Sequence, residues 1–154
     1  MEHIAKIAGI VLVIIMTSGC SMKSMMVEER VSPYDVEKTV KKIKDNAHSI
    51  GWATPDVKNM NKSIKKHGGK DIGGPVRIVE LCNARYAGKI LSDDSGRYSA
   101  LFMPCAVAVY TKNDGKTYVS NMKAGRMGSM MGGIVADVMA DVDVDQKKIL
   151  EFLE

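Results

Sequence analysis

The chain has 154 residues, of which 45% are hydrophobic and 26% are charged. This length is typical of a single domain, and the composition excludes a disordered chain, a collagen-like chain and a polytopic membrane protein. The formal net charge is only +4 and the aromatic content is 5%. Because aromatic stacking platforms are scarce, we expect no nucleic-acid partner.

The first 19 residues have the pattern of a signal peptide. Lys6 precedes an apolar run from Ile7 to Met16, which is about half the roughly 20 residues that a transmembrane helix needs. Three small polar residues then lead to Cys20. The pattern predicts that residues 1–19 are removed, which leaves the mature net charge unchanged.

The residues around Cys20 resemble the lipobox of bacterial lipoproteins, in which the cysteine takes a diacylglycerol and becomes the new N-terminus. Thr17 departs from the leucine that is usual there. The resemblance implies a lipid anchor at Cys20, a tether over residues 20–24, and attachment to a membrane of the cell envelope. Ordinary cleavage and an uncleaved anchor remain the alternatives.

A long helix follows the tether. Ser32 has the side chain of a helix cap, Pro33 suits the first helical position, and Asp35 suits the positive end of the helix dipole. Gly51 is placed to end the helix. The apolar positions recur every three or four residues, as one helix face requires: Val36, Val40, Ile43, Ala47 and Ile50.

The rest of the chain alternates short predicted elements. A short strand, a weak helix and a loop are expected between residues 52 and 74, and four further elements follow. These are a strand over 76–81, a short helix over 83–91 capped by Asn83, a hairpin around Asn113-Asp114-Gly115, and a terminal helix over 134–154 with an expected interruption near Asp141. This order predicts an α+β domain over residues 25–154, with a largely antiparallel sheet covered on one face by helices.

Two cysteines remain if Cys20 carries lipid. Cys82 follows one predicted strand and Cys105 begins another, so an antiparallel sheet can bring both to the same end. Three interpretations stay open for this pair: a structural disulfide, a redox-active or metal-binding dithiol, and two inert buried thiols.

Methionine is frequent, with 12 residues. Four methionines fall within ten positions among glycines: Met122, Met127, Met130 and Met131. Thioethers are ligands that suit copper as Cu(I), and the alternative is a methionine-lined loop that packs under the terminal helix. His48 and His67 have no partner at ligand spacing.

Four segments resemble the domain of unknown function 302 family. They are residues 32–40, Leu81-Cys82-Asn83, Met103-Pro104-Cys105-Ala106 with the apolar run that follows, and Asp114-Gly115. Ala84 departs from the proline of the family's first cysteine segment, and Met103 departs from the leucine of the second. The positions of Asn83 and Pro104 beside the two cysteines make them near-site candidates.

The resemblance implies a single curved antiparallel sheet with helices on one side, similar to the TATA-binding-protein architecture, and a homodimer. It implies no established reaction, and the sequence contains no convincing acid-base or nucleophile arrangement. We therefore expect a non-enzymatic envelope protein that binds a small ligand or a protein partner near Cys82 and Cys105. The alternative is a redox or copper-handling protein that uses these cysteines and the methionine cluster.

Overall fold

The computed structural model describes residues 21–153, so the predicted signal peptide and Cys20 lie outside the described residues. The elements in chain order are α1 Ser21–Met26, β1 Val27–Ser32, α2 Val36–Ser49, β2 Val57–Asn59, α3 Met60–Lys66, β3 Val76–Leu81, α4 Ala84–Leu91, a 3-10 helix Arg97–Phe102, β4 Cys105–Thr111, β5 Thr117–Met122, α5 Ala124–Met131 and α6 Gly133–Ile149.

The five strands form one sheet in the order β1-β5-β4-β3-β2. Every neighbouring pair is antiparallel, and the register places Leu81 opposite Cys105 and Val109 opposite Val119. The α+β class with an antiparallel sheet is thereby confirmed. No helix between residues 21 and 153 combines the length and apolar character that a bilayer crossing requires.

The core lies between one face of the sheet and helices α2 and α6. Alternate residues of the central strands point into it, because successive strand side chains face opposite sides of a sheet. Its sheet-side members are Val79, Leu81, Val107, Val109 and Val119, and its main helix-side members are Val36, Val40, Ile43, Ala47, Val135, Val138, Val142 and Ile149. The predicted apolar face of the first long helix therefore packs on the sheet.

Helix α2 begins later than the sequence predicts. Its cap is Asp35, whose Oδ1 accepts a 2.8 Å hydrogen bond from the Lys38 backbone N–H. Ser32 instead ends β1 opposite Thr117, and its hydroxyl lies 2.6 Å from the Thr39 hydroxyl. Ser32 is therefore part of the sheet, and Asp35 rather than Ser32 caps the helix.

Other local predictions are confirmed. The Asn83 side chain accepts hydrogen bonds from the Arg85 and Tyr86 backbone N–H groups and caps α4. Gly115 has φ +77° in the β4–β5 turn, a conformation that glycine adopts without a steric penalty.

The methionine-rich segment is a helix rather than a loop. It forms α5, and α6 then continues past Asp141 without the break that the sequence suggested. The two helices approach closely at Gly128, where an added Cβ would lie 2.4 Å from the Met139 Cβ. Glycine is therefore required there for close helix packing. The prediction of a flexible loop does not anticipate this role of Gly128.

Candidate functional site

The candidate site lies at one end of the sheet, where three strands meet. Strand β3 ends just before Cys82, β4 begins at Cys105, and β5 ends at Met122. Because Leu81 and Cys105 are register partners, the two cysteines occupy neighbouring strand ends. The backbone of Cys82 is held on its other side by two hydrogen bonds to Ala53, of 2.8 and 2.9 Å.

Helices close this strand end into an apolar cleft. Its cavity volume is about 80 Å³, well below the 300–1,000 Å³ typical of pockets for drug-sized ligands. The principal lining residues are Trp52, Leu81, Cys82, Asn83, Tyr86, Ile90, Phe102, Met103, Pro104, Cys105, Met122, Met127, Met131, Val135, Met139, Val142 and Gln146. The site is thus small, mostly apolar, and rich in sulfur.

The two thiols in this cleft are not bonded to each other, so the disulfide interpretation is not confirmed. Burial raises the pKa of the Cys105 thiol, and the neighbouring Cys82 adds to this increase. The effect of Cys82 follows because a second negative charge nearby disfavours the thiolate. Cys105 is therefore mostly protonated at neutral pH unless a cation compensates its charge.

Five methionines line the same cleft, with Met122 at its exposed rim: Met103, Met122, Met127, Met131 and Met139. Met127 and Met131 are one turn apart on α5, and Met139 lies opposite them on α6. Met103 precedes Pro104, and the peptide bond between these two residues is cis. Three elements, β5, α5 and α6, and the segment before β4 thus contribute methionines to the cleft that holds the two cysteines.

The Asp145 carboxylate holds two aromatic residues of the cleft wall, Trp52 and Tyr86. The Asp145 Oδ2 accepts hydrogen bonds from the Trp52 indole N–H at 3.0 Å and from the Tyr86 hydroxyl at 3.1 Å. Its Oδ1 accepts from the Lys148 ammonium at 3.3 Å. Burial alone would raise the pKa of Asp145, but these hydrogen bonds outweigh it and hold the pKa below the ordinary value. Asp145 positions both rings.

A family model, described as a domain of unknown function, matches residues 28–153. The chain belongs to the DUF302 family. A crystal structure of an uncharacterised conserved DUF302 protein from Bacillus stearothermophilus is similar, with a TM-score of 0.72 and 19% sequence identity, covering 83% of this chain and 98% of that one. At this identity the likeness shows the fold alone. None of the curated proteins matches the chain.

The residues that match the DUF302 segments have clear places in the cleft. Cys82, Asn83, Pro104 and Cys105 all line it. Asn83 is occupied by its capping hydrogen bonds to α4, so its contribution is to position Tyr86. Ala84, where the family has proline, is the first residue of α4.

The predicted methionine cluster of this DUF302 chain is divided by the structure. Met122, Met127 and Met131 line the cleft, whereas Met130 is 71% exposed and lies outside its lining. Met103 and Met139 also line the cleft, although the sequence analysis did not predict either of them as a ligand. The spacing of Met127 and Met131, one helical turn, is the signal that separates them from Met130 once α5 is recognised as a helix.

Nitrogen and carboxylate ligands do not gather at this site. The two described histidines, His48 and His67, are absent from its lining. Within residues 21–153, no group of three or more His, Cys, Asp or Glu side chains is placed to hold a metal ion. A metal at the cleft would therefore be bound by two thiolates and by thioethers.

Proposed function

We propose that this DUF302 chain binds Cu(I) in the cleft through Cys82, Cys105 and methionine thioethers. The observation that carries the proposal is that two free cysteines and five methionines, four of them away from the exposed rim, line one small apolar cavity. Soft sulfur ligands favour Cu(I) over the harder divalent ions. Four-ligand zinc sites require more thiolate, imidazole or carboxylate groups than this cavity offers.

The volume and polarity of the cleft support an ion rather than a larger organic ligand. A cavity of about 80 Å³ is smaller than the engineered cavity of about 150 Å³ that accepts benzene. The buried aliphatic residues Leu81, Ile90 and Val142 form part of its wall, and an apolar shell controls solvent access to a bound metal. Such a site protects a Cu(I) ion from exchange with solvent.

Binding at this site releases protons. A thiol must lose its proton to become a metal ligand, and the raised pKa of Cys105 makes that loss unfavourable at neutral pH. The positive charge of Cu(I) compensates the thiolate charge. The apparent affinity for Cu(I) is therefore expected to rise with pH until the Cys105 thiol is fully ionised.

The proposal is tested by titrating the purified protein with Cu(I) under reducing, anaerobic conditions against a coloured Cu(I) chelator. We expect one Cu(I) per chain, and a loss of affinity of about 100-fold or more in Cys82→Ser or Cys105→Ser, which is about 2.7 kcal/mol. Quenching of Trp52, the one tryptophan of the chain, reports occupancy of the cleft. Copper binding that survives in the double serine variant overturns the proposal.

Two adjacent methionines supply a matched control. Met131→Leu removes a thioether from the cleft, whereas Met130→Leu changes an exposed neighbour on the same helix. Both changes keep the side chain large and apolar, so both variants are expected to fold. Met131→Leu should weaken Cu(I) binding by about tenfold and Met130→Leu should leave it unchanged. Equal effects would place the thioether ligands elsewhere.

A second candidate function is the binding of a protein partner or a small apolar ligand at the mouth of the cleft. The 3-10 helix exposes Leu101 (83%), Tyr98 (54%) and Phe102 (42%), and the Tyr98 hydroxyl reaches the Met131 carbonyl. Large apolar groups exposed together are typical of interaction surfaces. Leu101→Gln would weaken such binding without changing Cu(I) affinity, which separates the two functions.

The cellular address belongs to the same proposal. We propose that Cys20 carries a lipid, that the domain sits on a membrane of the cell envelope, and that it assembles as a homodimer. The support is the signal-peptide pattern and the family resemblance of the sequence. Mass spectrometry of protein extracted from bacterial membranes should give a diacylglyceryl group on an N-terminal Cys20, and light scattering should give twice the chain mass. A Cys20→Ser chain that stays lipidated overturns the anchor, and a monomer mass overturns the dimer.

A further inference from the structure

A second cavity lies on the opposite side of helices α5 and α6 from the sulfur-rich cleft. It has a volume of about 350 Å³ and is formed by β1, the end of β5, the start of α5 and the C-terminal part of α6. Its lining is polar, unlike that of the cleft, and includes four cationic side chains, two carboxylates and Asn121.

Two polar atoms in this cavity have unmet hydrogen-bonding capacity. Asn121 is only 5% exposed, and its Oδ1 accepts from no donor of the described residues. The buried Arg30 Nε–H likewise donates to no described acceptor, since the Glu28 Oε1 lies 3.6 Å away, beyond hydrogen-bond reach. A buried polar atom that has no hydrogen-bond partner destabilises the folded protein. Each therefore indicates a partner that enters from the cavity.

The charge of the lining favours an anion. Four cationic side chains face two carboxylates, Glu28 and Asp143. Asp143 is satisfied by Lys147 at 2.7 Å and by the Gly125 backbone N–H at 3.2 Å, whereas the Lys123 ammonium donates to the Ser24 carbonyl. The Arg126 guanidinium forms no ion pair with any carboxylate between residues 21 and 153, so its charge is available to a ligand.

The positions of the two unpaired atoms, Arg30 Nε and Asn121 Oδ1, indicate which class of anion fits the cavity. Glu28 is the register partner of Asn121, and Arg30 lies two residues further along β1 on the same face. Diagonal neighbours on one sheet face lie within reach of long side chains, and both residues line the same cavity, so one ligand in it can contact both. Arg30 requires an acceptor oxygen, whereas Asn121 Oδ1 requires a donor hydrogen.

We propose that this cavity binds an oxyanion that retains one proton, with inorganic phosphate as its probe. Hydrogen phosphate carries anionic oxygens for Arg30 and Arg126 and a hydroxyl that donates to Asn121 Oδ1. Sulfate has the same shape but no proton to donate at neutral pH. The site therefore binds phosphate in preference to sulfate. This inference is independent of copper binding, because the two cavities share only Gln146.

The test is a calorimetric titration of the whole protein with phosphate and, at matched ionic strength, with sulfate. We expect phosphate to bind at least about tenfold more tightly than sulfate. Arg126→Gln should weaken phosphate binding by about tenfold, while Lys65→Gln, which removes one positive charge from the exposed face of α3, should not. Equal affinities for the two anions, or equal losses in the two variants, overturn the proposal.

Two further variants change the same site in opposite directions. Glu28→Gln removes the carboxylate that competes for Arg30, so phosphate should bind more tightly. Asn121→Ala removes the acceptor, so the preference for phosphate over sulfate should disappear; circular dichroism establishes that this buried variant is folded. If Asn121→Ala keeps the preference, or no phosphate heat is seen in any variant, ordered water rather than an oxyanion satisfies these atoms and the proposal fails.

Discussion

Helices α5 and α6 separate two cavities with opposite chemistry. The cleft on one side collects thiols, thioethers and aliphatic groups, whereas the cavity on the other side collects arginine, lysine and carboxylate groups. On α6, residues 135, 139 and 142 line the cleft, whereas residues 143 and 147 line the polar cavity. The helical repeat of 3.6 residues is what sends neighbouring positions to different sides.

Strand β5 makes the same division at its end. Asn121 points to the helix side and lines the polar cavity, whereas the adjacent Met122 reaches the rim of the sulfur-rich cleft. The lesson is that one helix pair and one strand end support two environments whose ligands do not overlap. A soft cation suits the first and a protonated oxyanion suits the second.

The contact that maintains both cavities is the close approach of α5 to α6. Gly128→Ala places a Cβ against the Met139 Cβ, so the helices must separate. We expect a loss of about 1–3 kcal/mol in the free energy of unfolding, together with weaker binding of both Cu(I) and phosphate. Urea unfolding followed by Trp52 fluorescence gives the stability.

The matched control for that change is Gly88→Ala on α4, where an added Cβ meets no atom within 4 Å. Alanine has a higher helix propensity than glycine by up to about 1 kcal/mol, so this variant should be as stable as the parent or more stable. If Gly128→Ala behaves like Gly88→Ala, the two cavities do not depend on close helix packing.

A smaller loss of stability is expected from a change at Asp145, which supports only the wall of the sulfur-rich cleft. Asp145→Asn keeps the size of the side chain but removes the charge that Trp52, Tyr86 and Lys148 share. The expected loss is about 1–2 kcal/mol at neutral pH. Phosphate binding in the polar cavity should not change, which distinguishes damage to one wall from damage to both cavities.

The pH dependence of this variant follows from the direction of the Asp145 pKa. Hydrogen bonds hold the folded pKa below the ordinary value of 3.8. A carboxyl with a lowered folded pKa stabilises the fold above its unfolded pKa, and this stability is lost as pH falls through the folded pKa. The difference in unfolding free energy between parent and Asp145→Asn should therefore shrink below pH 3.8. A constant difference across this range contradicts the charged role of Asp145.

The sequence predicts the part of the site that follows from strand ends. Cys82 after one strand and Cys105 at the start of another indicate the same end of an antiparallel sheet, and their register confirms it. The Asn83 cap and the Asp114-Gly115 turn are also readable, because both depend on local hydrogen bonds and backbone conformation. These features need no knowledge of long-range packing.

The remaining part of the site depends on contacts between distant residues. Met139 reaches the cleft only because Gly128 lets α5 and α6 pack closely. The glycines around Met127 have low helix propensity, so the sequence does not predict that Met127 lies on a helix. Met103 is positioned by the segment between the 3-10 helix and β4. The polar cavity was not predicted, since Arg30 and Asn121 lie 91 positions apart on strands whose pairing the sequence does not specify.

The smallest expected effect is on the reactivity of the Cys105 thiol rather than on the stability of the fold. Burial and the neighbouring Cys82 raise the pKa of Cys105 above its ordinary value of 9.0, and the thiolate is the nucleophile in alkylation. Iodoacetamide should therefore modify Cys105 several-fold more slowly at neutral pH than it modifies a cysteine in an unstructured peptide. The rate should continue to rise as the pH passes 9.0.

Copper and phosphate sharpen this measurement because they bind on different sides of α5 and α6. Saturation with Cu(I) should protect Cys105 from alkylation, since the metal occupies the thiolate that iodoacetamide needs. Saturation with phosphate should leave the rate unchanged, because the polar cavity does not contact either cysteine. Peptide mapping by mass spectrometry locates the modified residue in each case. Protection by phosphate as well would mean that the two cavities are coupled through the helix pair, and that the separation between their ligands is incomplete.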